Sequence, residues 1–211
     1  MTPTVVFLHG LGRTHRAFGS LRREVERAGY PTWARTYPST RGSIAELAAD
    51  VAAQIRREVG DGPILGVTHS LGGILARHMR HDLRWDGVVM LAPPNRGSQV
   101  ASALSERRWF QRALGPAGFD LGDGQAWPPP PTPFAVIAGT RGPSVGNPAS
   151  WLIRALGLLP PHDRSDGTVA LTETALPGMS GFAEVAASHT HIARHPETRQ
   201  LVLRFLTDRR L

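Results

Sequence analysis

Short apolar, β-rich runs alternate with stretches whose apolar residues recur every three or four positions, along nearly the whole chain. That alternation needs crossover connections, and so implies an α/β fold: a mostly parallel sheet with helices on both faces. The first run, TVVFLH (4–9), has no polar alternation, as expected of a strand covered on both sides. Phe18, Leu21 and Val25 then share one helical face, and TWARTY (32–37) reads as a weaker second strand. Ser43 and Glu46 have the spacing of a capping box. Ile44, Leu47, Val51 and Ile55 form the buried stripe behind it, with Gly60 at the expected stop.

The third strand is PILGVT (63–68), followed by a helix from Leu71 to about Leu83. GVVMLA (87–92), FAVIAG (134–139) and FAEVAA (182–187) bring the sheet to about six strands. A last helix starts at Pro196 and buries Leu201, Phe205 and Val202. The 211 residues suit one domain, 1–211, with no repeat and no linker. Two insertions break the rhythm. Segment 93–133 carries ALSERRWFQRAL and the proline run WPPPPTP, and segment 140–165 carries SWLIRALGLL. Both follow strand C-termini, where open α/β sheets place their ligands.

The stretch GVTHSLGG (66–73) sits where a strand turns into a helix. A serine there can be a nucleophile, provided that a base takes its proton, an acid orients the base and N–H donors await the oxyanion. The usual signature of such a turn is G-x-S-x-G. Here Thr68 occupies the first glycine position while Gly72 and Gly73 keep the other side open. The plain alternative is a serine that only caps the following helix. Late in the chain, DRSDGTV offers Asp163 and Asp166 as acids, or as ordinary turn aspartates, and ASHTHIARH offers His189, His191 and His195 as bases.

With FLHGLG after the first strand, VTHSLGG after the third, LAPPNRGS after the fourth, and SDGTV and SHTHI near the end, the chain resembles small bacterial α/β-hydrolases of the lipase and esterase type over nearly its whole length. The resemblance implies a compact α/β-hydrolase fold with short insertions over the active site. It implies a Ser70–His189–Asp166 triad, with the backbone N–H groups of Leu11 and Leu71 as oxyanion donors. His9 becomes a loop-shaping residue, and Gly10, His69, Asn95 and Trp109 become substrate-contacting candidates, with Ser98 beside Asn95. The expected reaction is carboxylic-ester hydrolysis through an acyl-enzyme, with no cofactor and no metal. Acyl transfer by the same triad, and a non-catalytic binding protein on the same fold, are the rival readings. Leu104, Trp109, Phe110 and Leu114 belong either to a lid or acyl-pocket wall, or to a packed surface helix. WLIRALGLL poses the same choice, with transient contact at a lipid interface as its sharper form.

Composition narrows the partners. The formal charge is +7, and all 24 basic residues are arginine, but they are scattered rather than gathered into a stripe with interleaved aromatics. Nucleic acid is therefore not the expected partner, whereas a small ester or lipid-like substrate is. Without lysine there is no phosphate-binding Walker loop, and without cysteine no disulfide framework. His78, His81 and Asp82 have a spacing that metal sites use, yet read better as the polar face of the helix after Ser70. The N-terminus shows no basic segment followed by an apolar one, so the expectation is a soluble cytoplasmic protein of undetermined oligomeric state.

Overall fold

The computed structural model describes residues 2–124, 127–143, 148–159 and 163–211. Positions 125–126, 144–147 and 160–162 of the two insertions, and the side chains of Phe110, Pro148 and Ala149, lie outside the described residues. Six strands form one sheet: β1 (Thr4–Leu8), β2 (Thr32–Ala34), β3 (Ile64–His69), β4 (Trp85–Leu91), β5 (Phe134–Gly139) and β6 (Gly181–Val185). Their order is β2-β1-β3-β4-β5-β6, and every neighbouring pair is parallel. The order reverses between β1 and β3, which opens a crevice at the C-terminal edge.

Alternation along β1 divides the core. Val6 and Leu8 face the layer that contains α2 (Ile44–Val59) and α3 (Leu71–His78). Val5 and Phe7 face α1 (Gly19–Arg27) and α8 (Pro196–Asp208). Phe18, Leu21 and Val25 are fully buried, as their spacing predicts. The capping box forms as expected: Ser43 Oγ accepts from Glu46 N while the Glu46 carboxylate accepts from Ser43 N, at 3.3 and 2.8 Å. Such a cap contributes about 1 kcal/mol to the helix start. Gly60 ends α2 at φ 86°, a conformation that glycine adopts without penalty.

Several element boundaries and burials differ from the sequence reading. Helix α3 stops at His78 rather than near Leu83, so His81 and Asp82 lie beyond it and form no polar helix face. Arg77, in the last turn, is buried: its guanidinium donates to the carbonyls of Asn95, Trp127 and Pro128 at 2.7, 3.2 and 2.6 Å. In α8 it is Val202, together with Phe205 and Leu206, that is fully buried, while Leu201 is only partly so. The single amphipathic run expected in the first insertion is two helices, α4 (Gln99–Leu104) and α5 (Arg108–Asp120), with a turn between them. α5 is itself broken at Gly115, where Pro116 removes a helical donor. The second insertion contributes α6 (Pro148–Ala155), and the short α7 (Leu171–Thr174) follows the Asp166 loop.

Candidate active site

Four loops meet at the C-terminal edge of the sheet. The turn after β3 carries Ser70, whose backbone sits at φ 51°, ψ −122°. A non-glycine residue there stores about 1–3 kcal/mol of strain, which the surroundings must hold. They do so at both ends: Ser70 N donates to Leu91 O, extending the β3–β4 pairing, and Ser70 O accepts from Gly73 N, each at 2.9 Å. The Ser70 side chain makes no capping hydrogen bond to α3, which removes the plain helix-cap reading. Helix α3 can start this close to the sheet because Gly72 lacks a side chain; a Cβ there would lie 2.1 Å from the Leu8 carbonyl oxygen.

Thr68 is fully buried in β3, paired with Leu8 on one side and Met90 on the other. Its Oγ1 lies 3.3 Å from where a Cβ on Gly73 would be, so the second glycine of the pair makes room for the threonine. The strained Ser70 backbone is kept with Thr68 in the first glycine position. The cost is that Thr68 Oγ1 is buried without a hydrogen-bond partner among the described residues.

The loop after β1 packs directly on this turn. A Cβ on Gly10 would sit 2.9 Å from His69 Nδ1 and 3.3 Å from Ser70 Cβ. His9 shapes that loop as a neutral ring. Its Nδ1–H donates to Gly10 O at 2.9 Å, its Nε2 accepts from Tyr37 N at 3.2 Å, and it stacks on Tyr37 with ring centroids 3.8 Å apart. Desolvation pushes the His9 pKa below 6.5, in line with this wiring. Neither the Leu11 nor the Leu71 N–H has an acceptor among the described residues, so both remain available as donors.

His189 follows β6. Its Nδ1–H donates to Asp166 Oδ2 at 2.7 Å, and its backbone N donates to Asp166 O at 3.0 Å. The Thr168 and Val169 N–H groups bind Asp166 Oδ1 at 3.0 and 2.8 Å, so three donors converge on one buried carboxylate. This leaves His189 Nε2 as the basic nitrogen. The other candidates are engaged elsewhere: Asp163 accepts from the Thr172 hydroxyl, and His191 Nδ1 pairs with Ser188 Oγ at 3.1 Å. His195 precedes Pro196 at the start of α8.

Ser70 and His189 open onto one cavity of about 340 Å³, also lined by Gly10, Leu11, His69 and Trp109. Its far wall is apolar, built from Val100, Leu104, Leu114, Leu121, Ile153 and Leu158 of the two insertions. Ser98 also lines it. Asn95 does not: it is buried outside this lining, with Nδ2 donating to Thr174 O at 2.8 Å and Oδ1 accepting from Arg77 at 3.3 Å. Its expected role as a substrate contact is therefore corrected. A buried amide satisfies its own polar groups first, and Asn95 does so by tying the loop after β4 to the end of α7.

Residues 5–208 match the model of the alpha/beta hydrolase family. The chain belongs to that family. No curated protein matches the sequence. Among solved structures, the mature lipase of Bacillus licheniformis superposes with a TM-score of 0.76 at 21% identity, covering 98% of this chain and 92% of that one. A phospholipase from Legionella pneumophila gives 0.69 at 18%, covering 98% of this chain and 60% of that one. A monoacylglycerol lipase from Paleococcus ferrophilus gives 0.60 at 20%, with 97% and 95% covered. At these identities the likeness is one of fold.

Two features of this α/β-hydrolase escape a sequence reading. His69 lines the cavity but is also a buried tie. Its Nε2–H donates to His189 O at 2.9 Å, and the two rings lie 4.7 Å apart. Desolvation first, then the neighbouring His189 imidazole and the Arg13 charge, hold its pKa well below 6.5. The second is Glu173, which accepts from Ala170 N and Gln99 N at 2.9 and 2.7 Å and so anchors α4 to the segment after Asp166. Burial pushes its pKa up. The His69–His189 and Glu173–Gln99 bonds join distant segments, which no local motif announces.

Proposed function

We propose that this α/β-hydrolase is a carboxylic-ester hydrolase, acting as one domain with segments 93–133 and 140–165 covering the site. The observation that carries the reading is the strained Ser70 turn opening onto the same cavity as a histidine wired to a buried aspartate. Ser70 Oγ attacks the ester carbonyl while His189 Nε2 takes its proton. Asp166 holds the imidazole in the required tautomer and stabilises the cation that forms. The Leu11 and Leu71 N–H groups receive the oxyanion, each donor worth about 10²-fold or more. The tetrahedral intermediate collapses, His189 returns the proton to the leaving alcohol, and water attacks the acyl-enzyme by the same general-base route.

The apolar cavity wall favours an aliphatic acyl chain. Trp109, Phe119, Trp151, Leu152 and Leu156 are about half exposed on α5, α6 and the turn after α6, with Trp109 and Leu152 reaching the cavity. This apolar rim supports transient contact with a lipid interface. No helix among the described residues is long and apolar enough to cross a membrane.

Release of p-nitrophenol from short and medium acyl esters, with fluorophosphonate labelling of Ser70, tests the reading. Ser70→Ala is expected to abolish both, and full activity in that variant would overturn the assignment. Asp166→Asn should cost about 10⁴-fold while Asp163→Asn leaves most of the rate; His189→Ala against His191→Ala should divide the same way. Product analysis with competing alcohols separates hydrolysis from acyl transfer.

A further inference from the structure

Arg13 closes the turn that begins at Gly10, its backbone N donating to Gly10 O at 3.2 Å. Its side chain crosses to the histidine loop, where Nη2 donates to Thr190 Oγ1 at 2.7 Å, one residue past His189. It also lines the cavity that holds Ser70 and His189. A cation is thus placed at the edge of the site.

It has no counter-charge. Surface arginines such as Arg22, Arg35, Arg164, Arg199 and Arg209 pair with carboxylates. Among the described residues no carboxylate pairs with Arg13, and the charge that acts on it is that of Arg194, a second cation. Desolvation, then Arg194, lowers the Arg13 pKa from the usual arginine value, although the group stays protonated at neutral pH. Thr190 engages one N–H of a planar fork that has five, and the natural complement of the remainder is a carboxylate or a phosphate.

Its position also selects one half of the substrate. His189 must hand its proton to the departing alcohol, so the alcohol half of the ester lies on the histidine side of Ser70. Arg13 bridges the oxyanion loop and the histidine loop on that side. The acyl half has its own wall, built from the apolar side chains of α4 to α6. We propose that Arg13 binds an anionic group on the alcohol portion of the substrate, so that the preferred esters join an aliphatic acyl chain to an alcohol bearing phosphate or carboxylate. The inference rests on the ester-hydrolase reading above and adds the leaving-group chemistry. The balance of the reaction is unchanged: the Ser70 Oγ–acyl bond forms, the ester C–O bond breaks, and the anionic alcohol leaves with the proton that His189 returns.

The test compares matched pairs as soluble monomers: octanoylglycerol phosphate against octanoylglycerol, and octanoyloxybenzoate against its methyl ester. The wild-type protein should show a kcat/KM about tenfold or more higher for the charged member of at least one pair, the scale of a charge-assisted contact. A preference in the phosphate pair alone, the carboxylate pair alone or both identifies the source of the anion. The preference should shrink as ionic strength rises, through KM for the charged ester. Arg13→Gln should bring the ratio near one, and Arg13→Lys should keep part of it. Thr190→Val removes the loop tie but not the charge, so it should keep the preference; the partial loss in Arg13→Lys carries the test if Arg13→Gln does not fold. Equal rates for charged and neutral esters in the wild type would overturn the proposal, as would an Arg13→Gln loss that falls equally on both members. Those results leave the hydrolase reading intact. If no ester is cleaved and fluorophosphonate does not label Ser70, the hydrolase reading falls and the substrate class falls with it.

Discussion

Replacing Gly72 by alanine probes how the sheet sets the nucleophile. The added Cβ would lie 2.1 Å from Leu8 O, 2.6 Å from Leu8 C and 2.9 Å from Leu8 Cβ, where contacts under 3.0 Å force movement. The first obstacles are backbone atoms of a central strand fully buried between two helical layers, so β1 has little freedom to yield. Helix α3 must instead lift by nearly an ångström, and Ser70 is the residue that joins it to β3. Overpacking of this kind costs about 1–3 kcal/mol, which lowers the melting temperature by roughly 2–4 °C per kcal/mol in a chain of this size. Catalysis should suffer more, because a displacement of about 1 Å at the reacting atom is worth about 10²-fold. Gly73→Ala is the internal comparison. Its Cβ meets Met90 Cε at 2.7 Å, the free end of a flexible side chain, and the loss in both quantities should be smaller. Thermal unfolding and the rate of fluorophosphonate labelling measure the two effects. A Gly72→Ala variant with wild-type stability and labelling would refute the idea that contact between α3 and β1 positions the serine.

Thr68→Val should raise stability by about 1 kcal/mol in urea unfolding and leave the labelling rate unchanged, because it removes a buried hydroxyl that lacks a partner and keeps the branched shape; a destabilised variant would show that the hydroxyl is satisfied. Stability should also fall as pH drops below about 6.5, because folding depresses the pKa of His9 and His69 and the unfolded chain takes up protons first. The stability of the neutral rings is complete above that value and is lost as the pH falls toward their folded pKa values, by at most about 1.4 kcal/mol per pH unit for each histidine. His69→Gln, which keeps a donor toward His189 O, should remove one histidine's share of that slope between pH 6.5 and 5.5, and an unchanged slope would refute the assignment.

The sequence by itself was enough for the elements whose burial is written in local periodicity. β5 spans Phe134–Gly139 as read, the Ser43 cap and the stripe of α2 fall in place, and the family emerges from short motifs at strand ends. Local patterns determine local structure because a helix face or a strand run is a statement about near neighbours. Where packing between distant segments sets the outcome, the reading went astray. The partial exposure of Leu201 and the withdrawal of Asn95 from the cavity follow from tertiary contacts. The candidate site divides the same way. Serine, acid and base could be ordered from the chain. The resemblance already pointed to Asp166 and His189; that His69 fastens the histidine loop and that Arg13 stands uncompensated beside the cavity became visible only in three dimensions. Thr68 shows why: its fit depends on the empty face of Gly73 on the next helix, and a pentapeptide cannot specify the space above it.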